Sequence, residues 1–389
     1  MGGSLKQTIA ISAWNLRSMS ARLKPSAVAV TGFFGVVLVF VAVLSIQKGF
    51  TAVFNNTGSN DVAIVSLNGP GNMDGNALKT IGQTPGVAQG PEGPVLMGTF
   101  LSSAQIPTRS SGLLGTVNFR GVGPQMPGVW RMFHIVQGRM FKPGLDEIIV
   151  GRQAERLFRG LSIGDVLKWN HHDWKVVGVF TMNGGIHESE ILTDANQLQA
   201  AYNATNSYAN AYVRLTSASA FPAFKKAIEH DPQLSVTAVQ ESENFRQSGQ
   251  DLKTVMTLIG GIITLLMGIG AIFGAINIMY SNIASRMGDI ATLRALGFAR
   301  LPILCAILVE GMVLGLAGGG AAAFIAYLIF NGYQASTLGN GALMAFSFQV
   351  TPGLIFSALL LAIVMGFIGG LFPAIRAARL PVATALREI

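Results

Sequence analysis

Four clusters in this sequence carry residue types that could do chemistry. His171-His172-Asp173 has the composition of a metal site, because imidazole and carboxylate both bind zinc. His187-Glu188-Ser189-Glu190 combines a base, a hydroxyl and two carboxylates, the raw material of acid–base or nucleophilic catalysis. The run from Gly71 through Gly75 to Lys79-Thr80 has the residue types of a phosphate-cradling loop. Glu310 is the sole charged residue between Arg300 and Arg376, and an ionisable group in an apolar stretch is a functional candidate by default.

Spacing weakens the first three. Asn170–Asp173 lies between two strand-like runs and reads as a hairpin turn. No HExxH or nucleophile motif surrounds His187–Glu190, which reads as a solvated loop. The Gly71–Thr80 run lacks the GxxxxGK[ST] spacing, so ATP hydrolysis is not expected of this chain. Glu310 lies nine residues into its apolar stretch, and the other stretches offer no second group for a proton relay. A contact to a neighbouring helix or a water-filled crevice is expected of it. No catalytic, cofactor-binding or metal-binding residue is predicted. The single cysteine, Cys305, excludes an intrachain disulfide and a multi-cysteine cluster.

Composition explains why such clusters are few. Of 389 residues, half are hydrophobic and 12% are charged, against about 25% in soluble domains. Four stretches reach the roughly 20 apolar residues that a bilayer core requires: Pro25–Gln47, Thr254–Tyr280, Leu301–Phe330 and Pro352–Ile375. The first is too long for a signal-peptide core and no A-x-A site follows it, so a retained helix is expected. Segments 1–24, 281–300 and 376–389 hold ten basic residues against two acidic, while 50–250 is close to neutral. The net charge of +8 therefore reports topology rather than nucleic-acid binding. An even number of spans puts all three basic segments on the cytoplasmic side and the large domain outside.

The expected fold class is thus a four-helix transmembrane α-helical protein with an α+β extracytoplasmic domain. Leu5, Ile9, Ala13, Leu16 and Leu23 recur at helical spacing around Trp14, which predicts an amphipathic cytoplasmic interface helix within 1–24. Span one covers 25–48. In 49–250, Asp61–Asn68, Pro94–Phe100, Ala211–Thr216 and Leu234–Gln240 read as strands, with helices at Gly75–Gly82 and Ser219–His230. Two such β-α-β units, 49–104 and 209–250, predict a split ferredoxin-like layer. The stretch 105–208 predicts an inserted, mostly β subdomain, with strands at Gly115–Val122, Val129–Val136, Glu147–Val150, Ser162–Trp169 and Trp174–Phe180. Glu241–Lys253 predicts a stalk helix continuous with span two (251–280). A cytoplasmic segment (281–300), span three (301–330), a short outer loop (331–351), span four (352–375) and a cytoplasmic tail (376–389) complete the chain. Gly270/Gly274, Gly311/Gly315 and Gly366/Gly370 have GxxxG spacing and predict close helix packing or a dimer face.

Several segments resemble one family, the MacB/FtsX-type permeases of ABC transporters. Ser285-Arg286-Met287-Gly288-Asp289-Ile290-Ala291-Thr292-Leu293-Arg294-Ala295-Leu296-Gly297 resembles that family's cytoplasmic ER-x-x-EI-x-x-LRALG segment. Pro373-Ala374-Ile375-Arg376-Ala377-Ala378-Arg379-Leu380-Pro381-Val382 resembles its C-terminal ending, without the usual Asp before Pro381. Gly138–Phe141, Ile163–Asp165 and Val176–Phe180 are similar to its periplasmic domain. Glu310 falls where such permeases often carry a Glu.

The resemblance implies mechanotransmission. A separate ABC ATPase, carrying the ATP and Mg, would engage a coupling helix here; the chain itself would bind no cofactor. Arg286, Asp289, Ile290, Leu293, Arg294, Leu296 and Gly297 would form that contact. A second permease subunit, identical or a paralogue, would complete the assembly in a bacterial inner membrane. Tripartite export of drugs or peptides through a periplasmic adaptor and outer-membrane duct is the leading expectation. Lipoprotein or lipid extraction, and signalling to a cell-wall hydrolase, are the alternatives.

Overall fold

The structure, a computed structural model, describes residues 23–284, 288, 290, 292, 296, 299–339 and 342–379. Expectations for 1–22 and 380–389 lie outside them. The described helices, in chain order, are α1 (Leu23–Asn55), α2 (Gly75–Gly82), α3 (Met126–Val129), α4 (Arg152–Leu157), α5 (Ala195–Ala201), α6 (Phe221–Glu229), α7 (Glu241–Ala284), α8 (Arg300–Phe330) and α9 (Pro352–Arg379). The main strands are β1 (Val62–Leu67), β2 (Leu96–Pro107), β3 (Leu114–Val122), β4 (His134–Gly138), β5 (Glu147–Gly151), β6 (Val166–Trp169), β7 (His172–Thr181), β8 (Ile191–Asp194), β9 (Asn210–Arg214), β10 (Val236–Gln240), β11 (Gln334–Gly339) and β12 (Ala342–Ser347). Contacts divide the chain into two units. One holds Met1–Lys48, Thr254–Tyr333 and Phe348–Ile389; the other holds Gly49–Lys253 and Gln334–Ser347.

In the first unit, α1, α7, α8 and α9 include segments long and apolar enough to cross a membrane. Small residues set how closely they approach. A Cβ on Gly311 would lie 2.5 Å from the Gly366 carbonyl oxygen, and one on Gly315 would lie 2.3 Å from that of Ala362. Gly318 faces α1 in the same way, 2.5 Å from Val30 O. One face of α8 is therefore moulded to α9 and another to α1, and backbone-to-backbone contact replaces the hydrophobic drive that lipid does not supply. Val37, Val41, Ala322, Ala326, Leu354 and Ala358 fill one core between these helices. Phe33, Ala275, Leu314 and Met365 fill a second.

In the second unit, a ten-stranded sheet runs in the order β10-β1-β9-β2-β3-β8-β5-β7-β4, with β6 paired to β7. The first four strands come from β1-α2-β2 and β9-α6-β10. Their spatial order, fourth-first-third-second, is the ferredoxin-like arrangement. Its core is Val65, Ile81, Val213, Phe224, Ile228 and Val236. Alternation along the strands and the amphipathic α6 produce it directly, because apolar side chains at period 2 and period 3.6 must share one interior.

The inserted stretch is not a separate sheet. β2 pairs antiparallel with β9 through Leu96–Thr99 and with β3 from Thr99 to Pro107. One long strand therefore crosses the expected boundary at 104/105 and carries the sheet onward. Phe119, Ile148, Phe158, Trp174, Val176 and Ile191 form the core of this second half. The expected strand Val129–Val136 is replaced by α3 followed by β4. Pro127, at the first turn of α3, supplies the fixed φ that starts a helix. The 331–351 loop contains the antiparallel hairpin β11–β12. Leu343 packs against the Phe158 cluster, and Phe346 meets Phe50 with ring centroids 5.7 Å apart.

Candidate functional site

The Gly71–Thr80 run is the capped start of α2. Asp74 accepts a hydrogen bond from Ala77 N at 2.8 Å, and Asn206 Oδ1 accepts one from Gly75 N at 2.8 Å. Two of the amides that a phosphate would need are thereby occupied by side chains. Asn170 and His171 have φ of 49° and 64° between the paired residues Trp169 and His172. That is a two-residue hairpin turn of the type with two left-handed residues. His172 Nδ1 lies 2.9 Å from Asp146 Oδ2.

His187–Glu190 differs from expectation. It is a single 3-10 turn, Ile186–Ser189, with Glu190 following, and all four residues are buried. Their side chains reach different parts of the fold. Glu188 Oε1 accepts from Thr181 Oγ1, from Met182 N at 2.7 Å and from Gly184 N at 2.8 Å. Ser189 Oγ accepts from Ala345 N on β12 at 3.1 Å. Glu190 takes two hydrogen bonds at 2.8 Å from the Arg120 guanidinium, and His187 Nδ1 lies 3.0 Å from the same carboxylate. Burial works against the Glu190 carboxylate, but Arg120 and His187 outweigh it and hold its pKa well below the usual range. Tyr212, under the Arg120 guanidinium, is pushed up to about 12, chiefly by burial. The turn is not solvated because its charges are neutralised from within, by a partner on β3.

Beside this network, α7 begins at Glu241, whose side chain is buried. Its carboxylate accepts from Ser59 N and from Trp130 Nε1, both at 2.9 Å. Gly58, at φ +86°, passes so close that a Cβ would lie 2.8 Å from the Glu241 carbonyl carbon. The segment following α1 is thereby tied to the first residue of α7. The Trp130 indole lies 4.5 Å from the His187 ring, centroid to centroid. A cavity of about 250 Å³ opens here, lined by Asn56, Ser59, Trp130, Arg131 and His187 among others. Sequence reading missed this site because its members come from five separate segments. Its signal in the sequence was an Arg in each of two largely apolar strands, Arg120 and Arg214.

Of the residues assigned to a coupling helix, Arg286, Asp289, Leu293, Arg294 and Gly297 lie outside the described residues. Ile290 is buried in a cluster with Met279, Ile283, Ile303, Ile307 and Ala374, from α7, α8 and α9. Leu296 is exposed. Glu310 is buried in α8. Gly311, Gly315 and Gly366 meet at the α8–α9 contact; Gly370 lies near Ile307 O and Met279. Among the described residues, Gly270 and Gly274 have no atom in reach of a Cβ.

Two family models match the chain. MacB-like periplasmic core domain covers residues 26–231, and FtsX-like permease C-terminal covers 261–382. An uncharacterized ABC transporter permease, MJ1507 of Methanocaldococcus jannaschii, is 27% identical over 242 residues, 60% of this chain and 60% of the relative. The macrolide export ATP-binding/permease protein MacB 1 of Aeromonas hydrophila is 25% identical over 394 residues, covering 91% of this chain and 57% of that protein. These matches span about three fifths of the relatives' length. The extracellular domain of the noncanonic ABC-type transporter YknZ from Gram-positive bacteria aligns with a TM-score of 0.35 at 18% identity, over 46% of this chain and 100% of that one. With the first model matching more than half of its residues, the chain belongs to the MacB/FtsX-type permease family of ABC transporters.

Proposed function

We propose that this chain is the membrane subunit through which ATP hydrolysis, performed outside these 389 residues, drives change in the extracytoplasmic unit. The observation that supports it best is the span of the FtsX-like match, 261–382, which takes in the whole 281–300 segment between α7 and α8. In the described part of that segment, Ile290 is seated among α7, α8 and α9, so a push on it reaches three helices at once. The ATP and Mg belong to the ATPase partner, and the chain has no catalytic role of its own. A second permease subunit stands beside it, through the open Gly270/Gly274 face of α7. The membrane is a bacterial inner membrane, with both termini cytoplasmic. The cargo reading is tripartite efflux with an adaptor and outer-membrane duct, supported by the export role in the name of the Aeromonas relative.

Lipid or lipoprotein extraction is the second reading. An apolar cavity of about 440 Å³ in the membrane unit, lined by Phe40, Val43, Ile269, Leu361 and Val364, favours it. Leu293→Asp and Arg294→Glu test the coupling role. Both are expected to lower the stimulated ATPase rate of the reconstituted complex at least about tenfold, the effect of losing about 1.4 kcal/mol at the contact. The unfolding midpoint of the extracytoplasmic unit should not move. Normal stimulation in both variants would exclude the segment as the coupling element.

A further inference from the structure

The buried turn at Ile186–Glu190 carries an inference that deepens the coupling reading and rests on it for its purpose. The chain passes between the two units at four places, 48/49, 253/254, 333/334 and 347/348. These belong to three segments: the end of α1, the first part of α7 and the β11–β12 hairpin between α8 and α9. Movement of the spans that travels along the chain must enter by them. Each of the three meets the same turn. Thr57, just past α1, donates to Val53 O at 2.7 Å and accepts from Ile186 N at 2.8 Å. On α7, the Phe245 ring stands edge-on to the His187 ring with centroids 5.5 Å apart, and Glu241 holds the Trp130 indole that lies against His187. From the hairpin, Ala345 N donates to Ser189 Oγ at 3.1 Å.

The turn is built to pass a displacement on rather than absorb it. Glu188 Oε1 accepts from Thr181 Oγ1, Met182 N and Gly184 N, which ties the turn to the loop that leads into it. Gly151, where β5 ends, approaches so closely that a Cβ would lie 2.2 Å from Glu188 O. Beyond the turn the chain runs straight into the sheet. Glu190 pairs with Arg120 on β3, its carbonyl accepts from Gly151 N at 3.0 Å, and β8 starts at the next residue. β8 itself lies between β3 and β5. We propose that the Ile186–Glu190 turn is the relay at which movement of the spans is combined and passed to the inserted half of the sheet, with Thr57 and Ser189 as positioning residues. A closely packed element has few intermediate arrangements, so a shift at one attachment is felt at the others.

The test needs no ATPase, so the relay and the coupling reading fail separately. Coupling between sites is reciprocal, so a disturbance at either end must reach the other. Amide hydrogen exchange of the full chain in lipid nanodiscs is followed at Ile186, at Ala345 and at Ser59, whose amide donates to Glu241. Ser189→Ala removes the acceptor at the hairpin. It should speed exchange at Ala345 and, by at least about threefold, at Ile186 and Ser59, within the range of coupling between linked sites. Thr57→Val removes the acceptor beside α1 and should speed exchange at Ala345 by a comparable factor. Thr57→Ser keeps the hydroxyl and should restore the wild-type rates. Val65, in the core beneath β1, should keep its wild-type rate in every variant. Acceleration confined to the amide that lost its acceptor would overturn the relay. Equal acceleration at Val65 would also overturn it, because Thr57 and Ser189 would then be general supports of the fold. If Thr57→Val does not fold, Ser189→Ala decides alone.

Discussion

Replacing Glu190 with Ala should destabilise the extracytoplasmic unit more than any other single change described here. Arg120 and Glu190 are 7% and 3% exposed and share a two-bond contact at 2.8 Å. Removing the carboxylate strands a guanidinium in the core and takes away the partner of His187 Nδ1. Breaking a buried pair from one side costs about 3–5 kcal/mol. Domains are stable by only about 5–15 kcal/mol. Denaturant unfolding of the full chain, followed by Trp emission, should therefore show a large fall in midpoint. The double variant Arg120→Met with Glu190→Leu should recover much of it, because an apolar pair leaves no stranded charge. If Glu190→Ala and the double variant unfold alike, the loss comes from packing and the electrostatic account is wrong.

A second large effect is expected at the α8–α9 contact. A Cβ on Gly366 would lie 2.3 Å from the Gly311 carbonyl oxygen, which is backbone and can yield only if the helices separate. Gly366→Ala should cost about 1–3 kcal/mol, the usual penalty of overpacking. Gly270→Ala and Gly274→Ala meet nothing among the described residues. They should leave it intact or stabilise it by about 1 kcal/mol, since Gly costs that much inside a helix. Thermal unfolding in detergent checks the first set. Cross-linking of paired subunits checks the second, where Gly270→Ala should weaken pairing if α7 faces a second subunit. A neutral Gly366→Ala would mean that the α8–α9 approach is looser than described.

What was legible in the sequence follows from how local its physics is. The spans, the ferredoxin-like strands and α2 rest on periodicity and composition within one segment, and each is found close to the expected residues. The hairpin turn at Asn170-His171 was readable for the same reason. His187–Glu190 was not, because its burial depends on Arg120, some seventy positions earlier, and on the hairpin residue Ala345. Polar composition alone reads as solvent exposure, and only the three-dimensional partner reverses it. The four residues of β8 were too few to show a period, yet they run parallel with β3 and join the two halves of the insert's sheet. In Gln334–Gly339, Ser336, Thr337 and Gly339 conceal a strand that its partner β12 stabilises. The split at 104/105 failed because one strand can serve two neighbours, a property of pairing rather than of sequence.

The central claim is that an ATPase drives this chain from its cytoplasmic side. The most direct measurement is gentle purification of the tagged full chain from native membranes, with cross-linking near Arg294 and mass spectrometry of what is retained. The account predicts an ABC ATPase cross-linked to the 281–300 segment. A periplasmic adaptor alongside it would support efflux, and a bound lipoprotein would support extraction. Recovery of the intact, folded chain with no ATPase, even after cross-linking, would contradict the account.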